Sequence, residues 1–272
     1  MKQNKLKQIS LNSILIIISV VMLFPTFWML LISLTKPGSM TSIMGLLQGP
    51  FTTINYREAF ASDSFGTYFM NSLIVATLVT LGNIFFCTTV AYAFSRKNFV
   101  GKKLLFLSIL GVLMIPQHVI MIPLYRLMVN FSWINTYYAL IVPWLVTPFG
   151  IFMVKQYIDS LPLEIENAAK IDGAGEWYIL FKIIFPLSKP ILSVLAVYTF
   201  LMNWNSFLFP FLFTNNESLR TLPVGLAFYM GKQSIDWSHL MAGASISALP
   251  ILILFLLFQK TIIKSLTAGA LK

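Results

Sequence analysis

Five of the chain's nine acidic residues, Asp159, Glu164, Glu166, Asp172 and Glu176, fall in one short polar stretch between long apolar segments. Catalysis by carboxylates or by a Ser/His/Asp set needs those groups together in an enclosed site. None is found within the apolar segments, so no catalytic residue is expected. A carboxylate-rich loop of this kind suits docking on something soluble. A second polar group, Asn203-Trp204-Asn205-Ser206, interrupts an apolar run. Unpartnered amides are costly in hydrocarbon, so these side chains should face a bundle interior or a wet cavity. Read as a continuous helix, Asn203 and Ser206 share a face while Asn205 points about 200° from Asn203. Gln117 and His118 lie between Pro116 and Pro123, where prolines free backbone carbonyls and kink helices. His118 is read as structural rather than as a proton relay. Met114, Met121 and Met128, seven apart, are expected to form one packing stripe.

Other chemistry is excluded by what is missing. The single Cys87 lies in an apolar run, and His118 and His239 are the only histidines, so neither a disulfide framework nor a metal centre is expected. Gly101-Lys102-Lys103 and Gly231-Lys232-Gln233 do not make the phosphate-binding pattern G-x-x-x-x-G-K-S/T, so the chain carries no ATP site of its own.

The elements that hold these residues are apolar helices. The chain is 57% hydrophobic and 10% charged, with a mean hydropathy of +0.80. Soluble domains carry about 25% charged residues, so the composition is that of a polytopic membrane protein. Six apolar segments reach the length of one crossing, about 20 residues: roughly 11–34, 68–94, 104–128, 136–158, 187–213 and 240–263. The net charge of +10 comes from small basic clusters flanking these segments, the pattern of membrane topology rather than of a nucleic-acid surface. The two termini and the 95–103 and 155–189 regions hold 14 Lys and Arg, against 5 in the alternate loops. The positive-inside rule then puts both termini and the 159–186 loop in the cytoplasm. The first segment is longer than a signal-peptide core and no small-residue cleavage site follows it, so no leader peptide is expected. The whole of 1–272 is expected to form one transmembrane domain, without a separate soluble domain or internal repeat.

Within the loop, residues 161–173 are expected to form a helix of about 18 Å, too short to span. Ser160 is its expected cap, Pro162 sits in its first turn and Gly173 stops it. Ala168 and Ala169 present a flat surface, with Glu164, Glu166, Lys170 and Asp172 as polar contacts around it. A surface-lying amphipathic connector is the bland alternative.

Asn167-Ala168-Ala169, then Gly173, then Ile183-Ile184-Phe185-Pro186 resembles the EAA loop of permease subunits in binding-protein-dependent ABC importers. Pro162 through Ala174 is similar to the carbohydrate-uptake branch. So are Asn71-Ser72-Leu73, Ala91-Tyr92-Ala93-Phe94-Ser95-Arg96, Ile115-Pro116-Gln117, Ile122-Pro123-Leu124-Tyr125 and the ending Leu266 to Lys272. The resemblance covers the whole chain and is greatest to the six-span permease of maltose-type importers. Asn167 stands where the family motif has Glu, and Phe185 where it has Leu.

The resemblance implies an all-α, six-helix fold of the type I importer permeases, and a subunit that moves a sugar or oligosaccharide by alternating access. Glu164, Glu166, Asn167, Ala168, Ala169, Asp172, Gly173 and Ala174 would then couple to a cytoplasmic ATPase. With Asn167 in place of the motif Glu, that docking should lean on shape at Ala168, Ala169 and Gly173. Asn203, Trp204, Asn205, Ser206 and Gln117 would line the substrate pathway. The implied partners are a second permease, a dimer of ABC ATPases that binds the ATP, an extracytoplasmic sugar-binding protein and membrane lipid, with no nucleic acid and no cofactor. The tail Thr267–Lys272 is a weaker candidate contact for the ATPase. The same architecture carrying glycerol-3-phosphate or a polyol is the alternative. A phosphorylated substrate would want a basic cavity, and no Arg or Lys is central to any span. A secondary carrier would show intramembrane acids or a two-fold repeat, and neither is present.

Overall fold

The computed structural model describes residues 2–36, 51–62, 64–230 and 236–270. Gly231-Lys232-Gln233 and the last two residues of the 267–272 tail lie outside them. The described residues are almost all helical, with one isolated antiparallel bridge between Thr35 and Phe51. Four continuous helical stretches are long and apolar enough to cross a bilayer: Ser10–Ser33, Phe65–Arg96, Tyr137–Asp159 and Trp237–Gln259. Two more pairs qualify if each is a single broken span, Lys102–Leu113 with Gln117–Asn130, bent by 98°, and Glu176–Leu187 with Lys189–Trp204, bent by 76°. The protein is therefore a multi-pass, all-α membrane protein.

By internal packing the chain divides into two units, Met1–Gly66 with Gly225–Leu249, and Thr67–Val224 with Pro250–Lys272. In the first, α1 (Lys2–Ser33) is followed by α2 (Ile54–Ser62). The apolar stretch of α1 has a mean hydropathy of 2.6 and is only 6% buried, so its side chains find almost no partners within the chain. Its end is the exception. The last carbonyls of a helix lack intrahelical donors, and the buried Asn55 amide of α2 supplies two, to the Ser33 carbonyl at 2.8 Å and the Thr35 carbonyl at 2.7 Å. Ser33 Oγ also shares a hydrogen bond with the Tyr56 hydroxyl.

The second unit holds the polar sites. Here α3 (Phe65–Gly82) runs through a π turn at Asn83–Cys87 into α4 (Thr88–Arg96). It is followed by α5 (Lys102–Leu113) and α6 (Met121–Asn130), then α7 (Tyr137–Ile141) and α8 (Pro148–Asp159). The widened turn is held by Asn83, whose amide donates to the Trp144 carbonyl at 2.6 Å while its oxygen accepts from Thr147 Oγ1 at 2.7 Å. Gly150 lets α8 come close here, since a Cβ would lie 2.9 Å from both Cys87 Sγ and Thr147 Oγ1. Below the turn, Ala91, Tyr92 and Phe94 of α4 pack with Ile151, Val154 and Ile158 of α8 in one apolar cluster.

The third segment is not one straight crossing. The helix stops at Leu113 and resumes after Pro116, whose extended ψ of 133° begins a short 3-10 turn, Gln117–Ile120. The methionine stripe expected from a continuous helix is therefore absent: Met114 is 85% exposed, Met128 is buried, and Met121 packs beside the latter's cluster. At the far end of this unit, buried Asn71 donates to the carbonyls of Ser218 and Arg220, each at 2.9 Å, and accepts from the Tyr137 hydroxyl. Ser72 Oγ accepts from the Leu222 amide at 2.8 Å. These two side chains tie the 218–222 backbone to the start of α3.

Candidate functional site

The polar loop after α8 forms a nine-residue helix, α9 (Leu163–Ile171). It is shorter than the expected 161–173. Ser160 does not cap it: its hydroxyl bonds back to the Tyr157 carbonyl at 2.7 Å, closing α8 instead. Pro162, with ψ 131°, stands at the N-cap position, so the chain enters extended, and proline loses nothing where amides are unpaired anyway. The exit is as expected from the glycine. Gly173 has φ +83°, its amide bonds to the Lys170 carbonyl at 3.0 Å, and the Ala174 amide bonds to the Ala169 carbonyl at 2.9 Å. This pair of bonds is the Schellman stop, which needs a left-handed residue. A Cβ there meets no neighbour within 4 Å, so only the backbone resists substitution. Gly173→Ala should cost about 1 kcal/mol, read as amide exchange at Ala174 faster by about fivefold. Unchanged exchange would show the stop is held by other contacts.

The helix has two distinct faces. Glu164, Asn167, Ala168 and Ile171, spaced i, i+3, i+4 and i+7, are all exposed, and Ile171 is 87% exposed despite being apolar. Glu166 and Ala169 face the other way. Ala169 and Ala174 pack on the α4–α8 cluster, so the expected pair of alanines divides, and only Ala168 belongs to the outer surface. Asp172 and Gly173 are exposed at the exit.

Glu166 departs furthest from expectation. The sequence puts it among the polar contacts around the Ala168–Ala169 surface, yet it is 3% exposed. Its carboxylate lies 2.5 Å from Arg96 Nε at the end of α4, in a pair whose side chains are 8% and 3% exposed. Arg96 Nη2 also donates to the Leu161 carbonyl at 2.8 Å. The residues on either side of Arg96 repeat the pattern. Ser95 Oγ donates to Asp159 at 2.5 Å, and Lys97 pairs with Glu176, which also accepts from the Tyr92 hydroxyl at 3.0 Å. Three of the five clustered carboxylates are therefore answered by three consecutive residues of the same chain. Of the five, only Glu164 and Asp172 form no ion pair among the described residues, and the outward charge is smaller than the sequence suggested. Sequence reasoning missed Ser95, Arg96 and Lys97 as partners, although the basic cluster there was the available signal.

The second polar group is broken by the backbone. After the loop, Glu176–Tyr178, a π turn at Ile179–Ile184 and Phe185–Leu187 (α10 for the whole elbow) lead at Ser188 into α11 (Lys189–Trp204), which ends before α12 (Leu208–Phe213). Asn205 is the cap and Ser206 lies beyond the helix, so the shared face expected for Asn203 and Ser206 does not exist. The Asn203 amide is spent on the Thr199 carbonyl at 2.8 Å, and that of Asn205 on the Leu201 carbonyl at 2.9 Å. Trp204 is packed among other side chains of this chain. It is 2% exposed, stacks on Phe200 at 5.6 Å and meets Phe69 edge-on at 5.5 Å. Asn205 and Gln117 are exposed, while Asn203 and Ser206 are half-buried. No group of three His, Cys, Asp or Glu able to hold a metal occurs among the described residues.

The chain as a whole is similar to known transport proteins. Residues 84–267 match the family model described as binding-protein-dependent transport system inner membrane component. The trehalose/maltose transport system permease protein MalG of Thermococcus litoralis is 36% identical over 277 residues, covering 100% of this chain and 99% of that protein. The arabinooligosaccharides transport system permease protein AraQ of Bacillus subtilis is 33% identical over 270 residues, covering 97% and 96%. Among solved structures, a bacterial ABC transporter involved in the import of the acidic polysaccharide alginate has a chain that superposes with a TM-score of 0.83 at 20% identity, covering 96% of this chain and 98% of that one. That last likeness extends to the fold. The match over residues 84–267 and the full-length relatives together place the chain in the family of inner-membrane permease components of binding-protein-dependent ABC transport systems.

Proposed function

We propose that the chain is one of two permeases of an ATP-driven importer for a sugar or oligosaccharide. The observation that carries this reading is the end-to-end similarity to a permease named for trehalose and maltose, supported by relatives named for arabinooligosaccharides and diacetylchitobiose. Residues 1–272 act as a single transmembrane domain in the cell membrane with both termini in the cytoplasm, the orientation favoured by the basic clusters. A second permease completes the pathway, two ATPases bind and hydrolyse the ATP, an extracytoplasmic binding protein delivers the sugar, and lipid covers the apolar flanks. The outer face of α9, with Glu164, Asn167, Ala168 and Ile171 and the exit at Asp172 and Gly173, docks on the ATPase. Asn203, Asn205, Ser206 and Gln117 offer amides and a hydroxyl to a polar substrate.

The test is reconstitution of the complete complex in proteoliposomes, with uptake of labelled di- and oligosaccharides measured against amino acids and glycerol-3-phosphate. ATP-dependent uptake confined to saccharides is expected, and uptake confined to another class overturns the assignment. In the same assay Asn203→Leu should lower uptake several-fold or shift preference across the saccharide panel. Uptake unchanged for every sugar would reassign Asn203 to packing.

A further inference from the structure

We propose that Arg96 is the positioning residue that makes α9 and the end of α4 move as one body, so that displacement imposed on the docking helix is delivered to the second span. This rests on the coupling role proposed above for the outer face of α9.

The helix is joined to its sequence neighbours by weak links. It is entered through extended Pro162, and left through left-handed Gly173 and extended Gly175, where a Cβ would meet nothing within 4 Å. Such joints pass on little of a push along the chain. The underside is different. Of the four ion pairs found among the described residues, Arg96–Glu166 is the one with both side chains under one-tenth exposed. Burial sets its stiffness, because separating the pair would leave a charge without compensation in a low dielectric, whereas exposed pairs exchange readily with water. The guanidinium fork holds the middle of α9 through Nε and its entry through Nη2 at the Leu161 carbonyl. Ser95 and Lys97 hold the flanks through Asp159 and Glu176. Entry, middle and exit of the loop are thus fastened to three consecutive residues, the middle one 70 positions earlier than Glu166. From Arg96, α4 runs back along the apolar cluster to the π turn at Asn83–Cys87. Lysine has the charge of arginine without the fork, so it can serve one acceptor well but not both.

Two measurements on the complete reconstituted complex test this. The first uses the native clamp. Spin labels at Ile165→Cys, on the flank of α9, and Val100→Cys, which is fully exposed just past α4, should report the same single distance before and after trapping with ATP and vanadate. A distance that changes between the two states overturns the proposal without any variant of the clamp. In the second, Arg96→Lys and Glu166→Gln should retain the ATPase at wild-type stoichiometry and leave its KM for ATP unchanged. Sugar taken up per ATP hydrolysed should fall about tenfold, within the range of coupling between distant sites. Wild-type uptake per ATP in both variants overturns transmission through the pair. Loss of the ATPase from the complex also overturns it, because Arg96 would then serve attachment. Failure of the underlying reading looks different: Ala168→Trp on the outer face would leave uptake intact, whatever the clamp does.

Discussion

Ala168→Trp is expected to reduce ATP-driven uptake by about a hundredfold, while the protein inserts and melts as the wild type does. Ala168 is exposed on the outer face of α9, so the larger side chain points away from the chain's own packing. A cleft shaped to a flat alanine face does respond. Forcing an aromatic ring into a packed contact costs about 3 kcal/mol, and 1.4 kcal/mol is tenfold in affinity. The measurement is uptake in proteoliposomes together with the amount of ATPase that co-purifies. Wild-type values for both would remove the outer face of α9 from the docking surface. Ala169→Trp makes a poorer test, because Ala169 packs inward on the α4–α8 cluster and its replacement would disturb the bundle itself.

Asn71→Leu is expected to be strongly destabilising for the unit that holds the loop. One buried amide satisfies two backbone carbonyls and accepts from a tyrosine hydroxyl. Leucine leaves all three partners unmatched, at about 1 kcal/mol each in a membrane protein. For a domain of this size about 3 kcal/mol lowers the melting temperature by about 10 °C. Thermal unfolding in detergent reads the shift, with Asn215→Ala, exposed in the same loop, as the control that should not move. Equal melting of the two variants would mean that the 218–222 backbone is held by other contacts.

Features that depend on a few neighbouring residues were legible in the sequence. Gly173 marks the end of α9 because only the backbone conformation it permits can complete the stop, and Pro116 marks the break in the third segment because it cannot continue a helix. The carbohydrate-permease resemblance rested on such local strings. Features set by distant contacts were not legible. Periodicity assumes an unbroken helix, and α11 ends at Trp204, so angles projected through Ser206 had no physical meaning. Tryptophan beside amides suggests a sugar platform, but Trp204 is claimed by Phe200 and Phe69, which the linear chain does not place next to it. The carboxylate cluster was the most misleading signal. Charge density in a loop cannot distinguish groups offered to a partner from groups answered within the fold, and here Asp159, Glu166 and Glu176 are of the second kind.

The buried Arg96–Glu166 pair also limits how this protein can be recombined. A short loop that contacts an ATPase looks like a cassette that could be exchanged between permeases to change the motor they accept. Residues 161–174 are not such a cassette. A grafted loop without an acid at position 166 would strand Arg96, and an acid grafted opposite a different residue at 96 would itself be stranded. The exchangeable unit is discontinuous, the loop together with Ser95, Arg96 and Lys97, and chimaeras that respect it should keep their uptake per ATP where simple loop swaps lose it.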